Sequence, residues 1–142
     1  MRYTIGMKQK GFSLPETLVI GAVIVLIGVL GTGMFATERA RLRDAKRMAD
    51  ITRLAGGFAV LYAQTGSYTA AAAGCGKVGA NAASCTLPSL LGSTDQIQDP
   101  GKFTYSVQRV PDQLDYGIQF TLERSYGSLT AGAHTLSKQG VH

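Results

Sequence analysis

The sequence predicts an α+β protein: a long N-terminal helix, apolar in its first half and amphipathic in its second, followed by a small antiparallel sheet. Three observations carry this. Thr17 to Thr37 is a run of 21 residues without a formal charge. Met48, Ile51, Ala55, Phe58 and Tyr62 recur at spacings of three and four, the period of one helix face. Beyond Gly101 the period changes to two, with Phe103, Tyr105 and Val107 alternating with Thr104, Ser106 and Gln108, and Tyr116, Ile118, Phe120 and Leu122 alternating again. A chain of 142 residues, 45% of them hydrophobic, has room for the apolar segment and one compact domain.

At about 1.5 Å per residue, the uncharged run matches a hydrocarbon layer of roughly 30 Å. Its front edge is unusual. A carboxylate, Glu16, stands at the start of the run, and Lys8 and Lys10 stand just before it. Burying a lone carboxylate costs several kcal/mol or forces protonation, so an acid here calls for a cationic partner, and no Lys or Arg lies within a helical turn on its C-terminal side.

The residues Gly11-Phe12-Ser13-Leu14-Pro15-Glu16, with a basic segment before and an apolar run after, resemble the class III signal of type IV pilins and type II secretion pseudopilins. The resemblance implies cleavage by a prepilin peptidase between Gly11 and Phe12, N-methylation of Phe12, and an assembly role for Glu16 opposite the freed Phe12 amine of its own or a neighbouring chain. It divides the chain into a leader (1–11), a transmembrane and filament-core half-helix (12–37) and a globular head (38–142). Three other readings fit parts of the stretch. Ser13-x-x-Glu16 is a capping box with Pro15 in a tolerant first turn, a role compatible with the first. A secretory signal peptide has a shorter apolar part and a small-residue cleavage site. An ordinary signal anchor has no use for the acid.

Gly21, Gly28, Gly31 and Gly33 interrupt the apolar run. Each costs about 1 kcal/mol in a helix interior, so Gly28 to Gly33 is expected to be the weakest part of the helix, or a place of close helix packing as at Gly28-x-x-x-Thr32. From Glu38 charges interleave with apolar residues. Asp44 with Arg47, and Arg47 with Asp50, are spaced to pair along the helix surface, while Arg39, Arg41 and Arg43 exceed their local acids and suit lipid phosphates, a neighbour's acids or plain solvation. Gly66 and Ser67 are the natural stop, giving a rod from about Ser13 to Gln64, roughly 75 Å long, with Gly56-Gly57 as a second weak point. Half of such a rod has no partner within one chain.

Cys75 and Cys85 lie ten positions apart in a segment rich in Ala and Gly. That spacing matches neither a four-ligand zinc site nor a C-x-x-C redox motif, and a structural disulfide is the economical reading, requiring an oxidising compartment. Leu87, Leu90 and Leu91 are expected to pack a short turn on the rod. Asp95, Asp99 and Pro100-Gly101 read as a loop and not a metal site. Two strands flank a turn at Pro111 to Asp115, and a third, weaker strand is expected in Ala133 to Val141 after a Gly127 to Gly132 turn.

The net charge of +5 overstates the body, because removing Arg2, Lys8 and Lys10 from the 14 basic residues leaves 11 against 9 acids. No basic, aromatic-interleaved patch for nucleic acid is visible in Phe103 to His142. His134 and His142 have no companion ligands, and Ser13 and Ser125 have no evident base, so neither an enzyme nor a cofactor is expected. A helix with a sheet on its outer half is the lollipop architecture of the pilin family. The resemblance thus implies a structural subunit of a helical homo-oligomeric filament, held in the cytoplasmic membrane by a single span before assembly and in an extracellular pilus or cell-envelope filament afterwards. A secretion pseudopilin and a competence pilin for DNA uptake are the alternatives. The absence of Asp and Glu from Gly127 to His142 weighs against the calcium site that the family gives to the major secretion pseudopilin. The chain departs from many type IV pilins in two ways, with a glycine cluster where they carry a proline, and with its cysteines between helix and sheet instead of near the C terminus.

Overall fold

The structure is a computed structural model, and it describes residues 13–88 and 96–142. The chain divides into two compact units, one through Thr37 and one from Glu38. A single helix, α1 (Leu14–Thr65), enters the second unit. It is followed by a short helix, α2 (Ala72–Cys75), and a four-stranded antiparallel sheet of β1 (Ser106–Arg109), β2 (Gly117–Leu122), β3 (Gly132–Ser137) and β4 (Gly140–Val141) in the order β1-β2-β3-β4. The architecture is α+β, as the change of period from 3.6 to 2 indicates.

α1 runs unbroken through Gly28–Gly33 and through Gly56–Gly57, so neither group of glycines interrupts it in the single chain. It stops where the sequence signals a stop. Gly66 takes φ +68, a left-handed conformation that glycine adopts without a Cβ penalty, and its N–H bonds the Tyr62 carbonyl at 2.7 Å. Gly57 has a packing reason instead of being a weak point. A Cβ built there would stand 3.0 Å from Leu87 Cδ1, so the missing side chain lets the following loop lie close on the helix. Leu87 packs against the core as expected, whereas Leu90, Leu91 and Asp95 fall outside the described residues.

The core of the second unit is built from Ile51, Leu54, Phe58 and Leu61 of α1 against Tyr105, Val107, Ile118, Phe120, Leu122 and Leu136 of the sheet. Its face on α1 is rotated from the one the spacing predicts. Leu54 and Leu61 are buried, whereas Tyr62 is 46% exposed and Met48 and Ala55 only border the core. Phe58 stacks on Tyr116 with ring centroids 3.8 Å apart, and Tyr68, just past the helix stop, meets Tyr116 edge-on at 4.9 Å. These rings close the end of the core away from Glu38.

In the sheet, Ile118↔Leu136 and Phe120↔His134 pair across β2 and β3, and Val107↔Ile118 pair across β1 and β2. The single weak strand expected over Ala133 to Val141 is in fact a tight hairpin, β3 and β4, with Ser137 opposite Gly140 and only Lys138 and Gln139 between them. Gly140 at φ +105 makes that reversal possible. Cys75 and Cys85 form the expected disulfide, with Cα atoms 4.6 Å apart.

Candidate functional site

Two features of the described residues lie outside ordinary core packing. The first is the apolar part of α1. Leu14, Leu18, Val19, Ile20, Val23, Ile24, Val25, Leu26, Ile27, Val29, Leu30 and Phe35 are each 46% to 76% exposed. A helix apolar on every side is made for a membrane or for the interior of a larger protein body. Among the described residues α1 is the one helix long and apolar enough to cross a membrane. At its start the Ser13 N–H donates to Glu16 Oε2 at 3.4 Å, a long bond that is the reach-back half of a capping box. Gly11 and Phe12 lie outside the described residues.

The second is an ionic cluster on the amphipathic half of α1. Arg47 is fully buried. Its Nε and Nη2 donate to the two oxygens of Asp99 at 2.5 and 3.0 Å, and its Nη1 donates to Asp44 Oδ1 at 2.7 Å and Glu123 Oε1 at 2.8 Å. The ring of Phe103 caps the guanidinium, 5.1 Å from centroid to carbon. Arg43 grips Glu123 through Nε and Nη2. Asp44 is saturated from the other side by the backbone N–H groups of Glu123 and Arg124, at 3.0 and 2.9 Å. One turn further along, Lys46 and the Tyr105 hydroxyl both donate to Asp50, and Lys46 also reaches the carbonyls of Gln96 and Gln98.

This corrects the sequence reading of the same residues. Asp44 and Arg47 do pair, but in the interior and not along the surface, and Asp50 goes to Lys46 and Tyr105 instead of Arg47. Arg43 is likewise consumed inside the head by Glu123, and Asp99, in a loop as expected, is in addition the bidentate partner of Arg47.

The electrostatics follow the geometry. Hydrogen bonds from Arg43, and then from Arg47, against the opposing effect of partial burial, bring Glu123 down to about 2. Burial pushes Asp99 up, but hydrogen bonds from Arg47 and the Gly101 N–H outweigh it and leave the group below the ordinary carboxylate range. Burial, followed by the charge of Asp50, pushes the Tyr105 hydroxyl well up, so it stays a donor. No buried side-chain nitrogen or oxygen among the described residues lacks a partner. Every buried side-chain polar atom of the cluster is thus partnered within the head. What the cluster does is fasten the segment 96–101 and the far end of β2 to α1.

Among the described residues no group of three or more His, Cys, Asp or Glu side chains is arranged to hold a metal ion. His134 Nε2 lies 2.7 Å from the Thr130 carbonyl in the β2–β3 connection. The local half of the cluster, Asp44-x-x-Arg47, was legible as a helical pair. Asp99 and Glu123, 52 and 76 residues away from Arg47, carried no sequence signal that tied them to it.

No family model, no curated protein and no solved structure matches this chain.

Proposed function

We propose that the chain is a structural subunit of a type IV pilus-like filament, made as a precursor, cut between Gly11 and Phe12, held in the cytoplasmic membrane by the apolar half of α1, and polymerised through that same helix. The observation that carries the reading is the continuity of α1: the helix with exposed apolar side chains up to Phe35 is the helix whose later turns, from Ile51 to Leu61, form the core of the head. A subunit that must first sit in lipid and then pack against copies of itself needs an apolar surface that its own fold leaves uncovered. The G-F-x-x-x-E resemblance at Gly11 to Glu16 supports the processing step, and the Cys75–Cys85 bond supports maturation in an oxidising compartment.

The test is made on protein from the native host. Mass spectrometry should find a chain that begins at Phe12 with a methylated amine, and electron microscopy should find surface filaments that disappear when the gene is deleted. A native chain that begins at Met1, or one cut after Ala36, overturns the reading.

A further inference from the structure

We propose that the head contains a site for a monovalent cation of the ammonium class, and that the side chain of Lys46 is its resident occupant, closing the segment 96–98 on α1. The Lys46 nitrogen stands 2.6 Å from Asp50 Oδ2, 3.1 Å from the Gln98 carbonyl oxygen and 3.3 Å from the Gln96 carbonyl oxygen. An ammonium carries three N–H donors, and these oxygens take all of them. A Lys-x-x-x-Asp pair on a solvated helix surface is worth little. Here the carboxylate is 3% exposed against 43% for the lysine, and the same Oδ2 also accepts from the Tyr105 hydroxyl at 3.0 Å. Asp50 is thus held inside the head, and the cation comes to it from the rim.

The segment is arranged around that charge. Gln96 and Gln98 are exposed residues, yet both give their main-chain carbonyls to Lys46, and Ile97 between them is buried in the core. Arg47, the next residue of α1, takes the Asp99 carboxylate, so two successive helix residues hold the segment, one by its main chain and one by its side chain. Along this stretch Arg43, Lys46 and Arg47 face Asp44, Asp50, Asp99 and Glu123, three cations against four carboxylates. Without Lys46 the balance is two against four, and two carbonyl oxygens and a nearly buried carboxylate converge on a space that calls for a cation. The donor set selects the kind of cation. It holds a single carboxylate with neutral carbonyls, which matches one positive charge, whereas calcium draws about six to eight oxygens in to roughly 2.3 to 2.6 Å. The consequence is a segment that stays closed whatever the divalent cation content of the medium. This holds for the head whether or not the chain polymerises, so its test is independent of the proposed function.

The test uses the full-length protein in a neutral detergent, with amide hydrogen exchange over 96–101 read by mass spectrometry. In the native chain that exchange should be indifferent to added calcium and to EDTA. Lys46→Ala should exchange about tenfold faster there, the scale of losing a hydrogen bond to a charged group. Added n-propylammonium, which restores the methylenes and the nitrogen that alanine lacks, should slow it again. Propanol, which carries a hydroxyl in place of the ammonium, and tetramethylammonium, a cation without an N–H, should not. Lys46→Met, which keeps an unbranched stem and loses the charge, should exchange as fast as Lys46→Ala. Native exchange rates in either variant overturn the inference and leave Lys46 an ordinary solvated partner of Asp50. Equal recovery with propanol overturns it in favour of packing alone. Recovery of Lys46→Ala by calcium as full as by propylammonium, or a native chain that calcium protects and EDTA exposes, overturns it in favour of a metal site.

Discussion

Arg47 is the residue on which the head depends most, because its neighbours leave it no alternative partner. An ion pair of this kind adds little net stability over an apolar replacement of the whole set, since both charges lost their water on folding, but removing one member strands the others. Arg47→Met should therefore cost about 3 to 5 kcal/mol in denaturant unfolding, and adding Asp99→Leu to the same chain should recover part of that loss. A loss below about 1 kcal/mol would mean the carboxylates find water instead. The acid side of the cluster gives a signed pH dependence. Glu123 falls from an ordinary value of 4.5 to about 2 in the folded chain, and Asp99 is lowered too, so their stabilisation is full above about pH 5 and drains away as the pH drops toward 2. The urea midpoint should decline between about pH 5 and pH 2, and Glu123→Gln should lower it at the upper pH while flattening the decline. The sequence could not have shown this centre, since a helical Asp-x-x-Arg pair is ordinarily solvated and the partners that bury it come from other elements.

Among the elements, the disulfide segment and the sheet differ in how far they were legible. Alternation at Tyr105, Val107, Ile118, Phe120 and Leu122 located β1 at the sheet edge and β2 beside it because these residues are buried, and the turn residues at 111–115 marked their reversal. The β3–β4 hairpin was missed because Lys138 and Gln139 are not turn formers, and the conformation is supplied by Gly140 just beyond them. The face of α1 came out rotated because Leu54, Ala55, Leu61 and Tyr62 make an apolar stripe wider than the contact, and the edge that turns inward, with Leu54 and Leu61, is the one that continues from the buried Arg47. In the disulfide segment the cysteine spacing was readable, but its tightness was not. A Cβ on Gly74 would lie 1.8 Å from the Ser84 carbonyl oxygen, so the residues before the two cysteines touch backbone to backbone. Gly74→Ala should thus cost about 1 to 3 kcal/mol with the bond still formed, close to the loss of about 2 to 3 kcal/mol expected for Cys75→Ser. Thermal unfolding and limited proteolysis across 69–86 would measure both, and an unperturbed Gly74→Ala would show that α2 can move away from Ser84 at no cost.

At the scale of the whole molecule, the head closes a core of its own while the described apolar side chains from Leu14 to Phe35 are exposed, and the proposed function assigns that surface first to lipid and then to other copies. Glu16 is the residue that distinguishes those two settings. In a bilayer the carboxylate can remain at the polar surface, where the Ser13 N–H reaches it at 3.4 Å. In a filament core it would be surrounded by Leu, Val and Ile side chains of neighbouring helices, and an unpaired buried charge there costs several kcal/mol. The cation at that depth is the amine that cleavage would free on Phe12, and pairing with it would select the register of the incoming subunit, because every other register leaves the acid unpaired. Glu16→Leu should therefore insert and be processed but build few filaments or none. Glu16→Gln separates this from a helix-capping role, since the amide keeps the oxygen that accepts the Ser13 N–H and loses only the charge. Filament yield from surface shearing, set against the amount of processed subunit in the membrane fraction, gives the comparison directly. Loss of filaments in the Gln variant at normal processing supports charge pairing, and wild-type filament yield from Glu16→Gln would leave Glu16 as a cap and nothing more.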